Sequence, residues 1–293
     1  MFRKACDVAG RFTRPVIMTV QTIDGQIGAG IGAFVVINAD GWAVTAAHVA
    51  NDAIQREKDA EEVARFDDRM TELRSEVPNK QVALRRKYDK DLADAMRGRG
   101  PLLRRAGLMW CDPAVTVALD HTFIPADLMI CKFDNIERLE VEVFPKFKRP
   151  QGLLPGTSLV RAGYPFNEAK CNFDPVREEF VNETQVPTLF AIEGILARKL
   201  DISDPSGENV AHWIETSSPG LMGQSGGPIM DADGTIFAIQ SNTVCLDLQF
   251  NAISKDANGE YKERQFLNVG RGISSETLEM MFAKYGVEAE WVD

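Results

Sequence analysis

The chain is short of the residues that mark several protein classes. It has no stretch of about 18 consecutive apolar residues, so no transmembrane helix is expected. Its N-terminus reads MFRKACDVAGRFTRPVIMTV, where Asp7, Arg11 and Arg14 break up any apolar run. A secretory signal needs an uninterrupted run of about 7–15 such residues, so none is read there. The five cysteines (Cys6, Cys111, Cys131, Cys171 and Cys245) are odd in number and widely spaced, with no Cys-x-x-Cys pair. That excludes a disulfide framework or zinc knuckle and reads as reduced, small buried thiols of a cytoplasmic protein. Basic residues number 33 against 43 acidic ones, a net charge of −10. Without a basic field, general binding to nucleic-acid phosphates is not expected, although a local basic patch stays open. Internal repeats and low-complexity tracts are also missing.

What remains is an ordinary globular composition, 44% hydrophobic and 26% charged. The 293 residues make one large domain or two small ones. Residues 15–50 read as β, with an Asp40-Gly41 turn between two apolar runs as a hairpin signal. Residues 51–105 differ, with 14 Lys/Arg and 12 Asp/Glu, slightly basic on an acidic chain. There Val63, Phe66, Met70, Leu73 and Val77 recur in alternating steps of three and four, a helical seam. Val77-Pro78-Asn79 breaks it, since proline lacks a helix donor. Leu84, Tyr88, Leu92 and Ala95 form a second seam, ended by Arg97-Gly98-Arg99-Gly100-Pro101. The segment therefore predicts a hairpin of two charged helices. Strands return afterwards, at 127–133, 157–163, 188–199, 211–216, 228–231, 235–241 and 265–270. A last helix is predicted over Ser275 to Tyr285, with Gly286 as its stop.

Three short strings carry chemistry. Gly223-Gln224-Ser225-Gly226-Gly227-Pro228 sets a serine among glycines. A serine hydroxyl is a weak nucleophile that needs a base, an open backbone and donors for a developing oxyanion. Flanking glycines provide the last two, and the N–H groups of Gly223 and Ser225 are the candidate donors. Thr45-Ala46-Ala47-His48-Val49 places one of only three histidines at a strand end, where it can serve as general base. Ala126-Asp127-Leu128-Met129-Ile130 opens an apolar strand with an aspartate that can orient the histidine. Asp120 is a rival for that role. Asp127 is preferred because the strand after it is apolar. His121 and His212 have no motif around them and read as structural or exposed, and Trp42 and Trp213 as core.

The order His48, Asp127, Ser225, with these local strings, resembles the chymotrypsin-like (trypsin-like) serine peptidases, particularly their bacterial disulfide-free branch. LVRAGYP at 159–165, IMDADGTIFAIQSN after the serine and GRGISSETLEMMFAKYGV near the end fit the same pattern. The resemblance covers roughly 15–50 and 107–286. It implies a mostly β fold of two six-stranded antiparallel β-barrels, with an inserted α-helical hairpin and a C-terminal helix. Residues 1–150 would carry His48 and Asp127 with the helical insertion 51–106, and 151–293 would carry Ser225. It further implies a His48-Asp127-Ser225 triad, an oxyanion hole at Gly223 and Ser225, and no metal or organic cofactor. Two departures stand out. Gln224 replaces the aspartate that pairs with a cut N-terminus in the digestive enzymes, so that activation is not expected. The 79 residues from His48 to Asp127 exceed the usual spacing, and the helical segment accounts for the excess.

Ile239, Gln240, Ser241 and Asn242 are the residues expected to pair with substrate backbone. The primary pocket should lie among Ser217–Leu221, Ser241–Thr243 and Asn268–Gly270. Pro219 falls where trypsins keep a pocket aspartate, so a small or medium uncharged side chain is the expected preference. The expected partners are a protein or peptide substrate and a regulatory protein binding helices 51–105, with no membrane. The alternative reading is a catalytically inactive protease-like module that uses the helical arm for recognition.

Overall fold

The computed structural model of the chain describes residues 1–76, 78–95, 100–112, 114–204, 206–207, 210–256 and 259–293. The chain opens with a helix, α1 (Arg3–Phe12), which buries Ala5, Ala9 and Phe12 along one face. The strands β1 (Thr13–Thr22), β2 (Ile27–Val36) and β3 (Trp42–Ala46) follow as an antiparallel meander. Gly41 turns between β2 and β3 at φ +91°, where a Cβ would lie 2.6 Å from the Phe133 carbonyl oxygen. Two helices come next, α2 (Asn51–Ser75) and α3 (Pro78–Ala95). The break expected at Val77 and the stop expected at Arg97-Gly98-Arg99 lie outside the described residues. The half closes with β4 (Leu103–Met109), β5 (Thr116–Phe123) and β6 (Leu128–Asp134).

The second half begins with β7 (Lys146–Lys148) and β8 (Ser158–Gly163). A small separate hairpin follows, β9 (Cys171–Asp174) with β10 (Glu179–Asn182). Then come β11 (Phe190–Ser203), β12 (Val210–Thr216), β13 (Pro228–Met230), β14 (Ile236–Asp256) and β15 (Gly259–Ser274). Helix α4 (Ser275–Tyr285) starts where the Ser274 hydroxyl accepts the Glu276 N–H, and ends at Gly286 with φ +68°. The last element is β16 (Glu290–Val292).

Two six-stranded antiparallel barrels are not what forms. The first sheet runs β4-β1-β2-β3-β6-β5, and among the described residues its two edge strands do not pair with each other. It is a curled half-barrel. Its β4 edge is occupied by α2 instead: Asp59 of α2, itself buried, accepts the Leu103 N–H, and Arg104 forks onto Asp67 at 2.7 Å through both terminal nitrogens. The second sheet has eight strands in the order β13-β8-β11-β12-β15-β14-β7-β16, with β13 also bonded to β14. It is not wholly antiparallel, because β7 pairs in parallel with both β14 and β16. With four helices of 10, 25, 18 and 11 residues among the described residues, the class is mixed α and β rather than mostly β.

One apolar core joins the two sheets. It contains Val44 and Ile130 from the first, Val160 and Ile239 from the second, and Phe282 from α4. The chain's chemistry-bearing strings emerge where these sheets meet.

Candidate active site

His48 lies in the short helical turn Ala47–Ala50 that ends β3. All five residues of β3 are buried, so the turn has a rigid base. Strand β3 pairs with β6 down to Ala46 opposite Leu128, which brings residue 127 beside the turn. Three hydrogen bonds then lock the two together. The Ala47 N–H donates to the Asp127 carbonyl at 2.8 Å, and the His48 N–H donates to Asp127 Oδ1 at 2.8 Å. The ring nitrogen Nδ1 of His48 meets Asp127 Oδ2 at 2.7 Å. An ionised carboxylate only accepts, so the proton rests on Nδ1 and leaves Nε2 as the basic nitrogen.

Asp127 itself is in the left-handed region, at φ +51°. Aspartate tolerates that region better than most residues. The kink turns the chain from the turn Ile124–Ala126 into β6 and presents the carboxylate to His48. The rival Asp120 sits exposed on the edge strand β5. Its neighbour His121 stacks on Tyr285 with ring centres 3.8 Å apart.

Ser225 is held by the turn between β12 and β13. Gly223 has φ +92° and Gly226 φ +85°. A Cβ at Gly226 would lie 2.0 Å from the Ala33 carbonyl oxygen, so only glycine fits there. The turn is tied on both sides: Ala33 N–H donates to Ser225 O, Tyr164 N–H to Gly223 O, and Gly226 N–H to Gln240 O, each at 2.8 Å. Among the described residues, no acceptor takes the N–H of Gly223 or of Ser225. Those are the two groups nominated as oxyanion donors.

His48 and Ser225 line one cavity of about 440 Å³, together with Ile31, Phe166, Met222 and Gly223. The Ser225 hydroxyl donates to the Ser241 carbonyl at 3.2 Å, rather than to His48. Ser241 also donates its own hydroxyl to Asp127 Oδ2, at 2.5 Å. The sequence suggests Ser241 for the substrate strand but does not announce this second contact, since 114 residues separate the partners.

The proposed substrate strand lies in β14. On one side Gln240 and Asn242 pair with Gly272 and Arg271 of β15. On the other, β13 covers β14 only as far as Ile239, opposite Pro228, and the Gln240 N–H still reaches Gly227 O. From Ser241 onward that edge has no strand beside it among the described residues. Ile239, Gln240 and Ser241 are buried and Asn242 is exposed.

Elsewhere, Asp201, His212 and Glu276 offer ligand atoms within 4.8 Å of one another. Lys199 already holds Glu276 at 2.6 Å, and His212 Nδ1 is bonded to Asp201 at 2.8 Å. Among the described residues, no helix is long and apolar enough to cross a membrane.

A family model described as a trypsin-like peptidase domain matches residues 31–239, more than half of the chain. No curated protein matches it in sequence. Solved structures similar to it include the HtrA-type protease AlgW with a tripeptide, at 15% identity and a TM-score of 0.46. That alignment covers 98% of this chain but 64% of the AlgW chain, so this chain spans less than two thirds of that relative. The active form of the Rv3671c protease from M. tuberculosis aligns at 12% identity with a TM-score of 0.48, covering 99% of this chain and 87% of the other.

Proposed function

The chain belongs to the family of trypsin-like peptidase domains, and on that premise we propose that it is a serine endopeptidase working through His48, Asp127 and Ser225. The observation that carries the reading is the Nδ1–Asp127 bond of 2.7 Å in a histidine that shares a cavity with Ser225. In this mechanism Nε2 of His48 takes the Ser225 proton as Oγ attacks a peptide carbonyl. Oγ must first turn from Ser241 O, a bond of 3.2 Å that it exchanges for one to His48. The oxyanion is received by the N–H groups of Gly223 and Ser225, which are not taken by the fold. Asp127 stabilises the imidazolium, His48 returns the proton to the leaving amine, and water repeats the sequence on the acyl-enzyme. A peptide would add as a strand along Ser241 and Asn242, with Ile239 and Gln240 anchoring that strand from within.

Residues 1–150 then supply base and orienter, and 151–293 the nucleophile. Helix α2 begins directly after the His48 turn and α3 follows it, which supports a role in receiving a regulatory protein near the site. The proposal includes a cytoplasmic setting, in keeping with five free thiols.

The test is labelling with a fluorophosphonate, a serine-directed electrophile. The full chain should label at Ser225 and cleave an unfolded protein substrate, and Ser225→Ala should do neither. A correctly folded chain that fails to label would leave the inactive recognition module as the better account.

A further inference from the structure

Strand β8 buries an arginine that has no counter-charge among the described residues. Arg161 lies on β8, 2% exposed. Its Nη1 donates to the Ser218 carbonyl at 2.9 Å and its Nη2 to the Thr216 hydroxyl. Both acceptors are neutral. Burial lowers its pKa only to about 10, so the guanidinium is charged at neutral pH. Among the described residues it has no carboxylate partner. The nearest buried acid in sequence to these contacts, Glu215, is held by Arg198 at 2.6 Å and Arg271 at 2.7 Å. Successive residues of a strand face opposite ways, so Glu215 points away from the side on which Thr216 meets Arg161. A buried, unpaired cation is costly, and such a group ordinarily marks a site for an anion.

Its surroundings are built from the turn that leads to Ser225 and from the strands β14 and β15. Gly270 leaves room for the guanidinium, since a Cβ there would lie 2.3 Å from Nη1. The N–H of Gly270 donates to the same Ser218 carbonyl. The Gln240 amide fills the space against Gly220, whose Cβ would come within 2.2 Å of Nε2. Eight buried side-chain polar atoms lack a hydrogen-bond partner among the described residues, and four of them belong to Arg161, to the turn before Ser225 and to β14: Arg161 Nε, Ser218 Oγ, Gln224 Nε2 and Gln240 Oε1. Gln224 precedes the nucleophile, and Gln240 precedes the serine whose carbonyl holds Ser225 Oγ. Gln224 and Gln240 therefore tie the patch to the serine turn, and the Gly226 N–H donates to the Gln240 carbonyl at 2.8 Å.

The geometry points to Arg161 as the determinant of an acidic P1 preference, with the substrate's Asp or Glu carboxylate entering between the 218–224 turn and Gln240 to meet the guanidinium. This rests on the serine-peptidase reading above and names its substrate class. A carboxylate only accepts, which matches the unpartnered donors on Arg161, Gln224 and Ser218. Gln240 can swing aside at little cost, because its amide keeps only one bond, from Nε2 to the Asn242 carbonyl. A lysine or arginine at P1 would bring a second cation against Arg161. Pro219 alone suggests a small uncharged preference, and nothing in a strand reading SLVRAG announces that its arginine points inward.

The experiment uses the full chain and peptide aldehydes identical except at P1, with Asp, Glu, Asn, Gln, Leu or Lys. Each competes against fluorophosphonate labelling of Ser225. The Asp or Glu aldehyde should inhibit roughly 10- to 100-fold better than its Asn or Gln isostere, the range of a hydrogen bond to a charged group. Arg161→Met should erase that ratio, read for each variant against its own labelling rate without aldehyde, and Arg161→Lys should keep part of it. Equal inhibition by acid and amide, or an acid preference that survives Arg161→Met, overturns the assignment. Should Arg161→Met fail to fold, the wild-type ratio alone decides. Absence of labelling without any aldehyde would instead sink the serine-peptidase reading, and this inference with it.

Discussion

Replacing Asp127 by asparagine separates orientation from mere contact. Asparagine tolerates the left-handed backbone that residue 127 adopts at φ +51°, so the turn should persist. Its carbonyl can keep the bond from the His48 N–H, now 2.8 Å. Its amide, however, turns a donor toward Nδ1 across a gap of 2.7 Å. The ring answers by accepting at Nδ1 and carrying its proton on Nε2, where it can no longer take the Ser225 proton. Holding the productive tautomer would set two donors face to face, a penalty of about 1.5 kcal/mol or more. The imidazolium would also lose its anion. A pair 4 Å apart at an effective dielectric of 20 is worth about 4 kcal/mol, and solvent reaches enough of the ring to reduce this to about 3 kcal/mol. Together these predict a fall in kcat/KM of roughly 10³–10⁴-fold, from about 4.5 kcal/mol or somewhat more. The assay is peptide hydrolysis, with urea unfolding as the control on stability. Activity within tenfold of wild type, in a variant whose unfolding midpoint is unchanged, would refute the assigned role. The exposed rival supplies the contrast: Asp120→Asn should leave kcat/KM unaltered.

Two further outcomes follow from the same contacts. Ser241→Ala removes the hydroxyl that braces Asp127 at 2.5 Å but keeps the carbonyl that receives Ser225 Oγ. As a positioning residue it should lower kcat by roughly 5- to 30-fold with KM nearly constant, and a change confined to KM would refute that role. Glu215→Gln tests the buried pair of arginines. Burial pushes the Glu215 carboxyl up, but the hydrogen bonds and charges of Arg198 and Arg271 outweigh it and hold it below the usual carboxylate range. Its contribution to stability is thus present above the unfolded value of about 4.3 and is lost as the pH falls through the lower folded value. Urea titrations should find the variant about 1.5–3 kcal/mol less stable at pH 7 and equally so at pH 5, with the gap closing only below about pH 4. A gap that already closes between pH 7 and pH 5 would contradict this.

How much of the molecule is legible in its sequence depends on the range over which each feature is built. The serine turn is local: three glycines, at 223, 226 and 227, are demanded by approaches of the backbone itself, such as Gly226 against Ala33. The helical seam through Val63 and Phe66 is local as well, and helices α2 and α3 lie there, with Val63 packed against Ile23 and Leu102. Helix α1 carried a readable pattern at Ala5, Ala9 and Phe12, but one that spans barely two turns. Sheet closure is different in kind. Strands β7 and β16 are three residues each, too short for any alternation, and they exist because the chain's end returns to pair with Phe147. Whether β4 meets β5 or a helix is decided by Asp59 and Asp67, charged residues that a linear reading assigns to solvent.

The same rule explains why polar residues were the hardest to place. Apolar positions announce burial by periodicity, whereas a buried charge is defined by partners far along the chain. Arg161 and its contacts at Ser218 are 57 residues apart, and Glu215 and Arg271 are 56 apart. Asp127 could be nominated only because an apolar strand follows it, and its third partner, Ser241, could not be. These long-range polar contacts meet between the 216–224 turn and the start of β14, the region that also holds Ser225. Nucleophile and base can therefore be nominated from local strings, while the selection of substrate rests on groups that only the folded arrangement brings together. In this chain, variants that alter specificity should accordingly map to Arg161, Ser218 and Gln240, and variants that abolish turnover to the local strings around His48, Asp127 and Ser225.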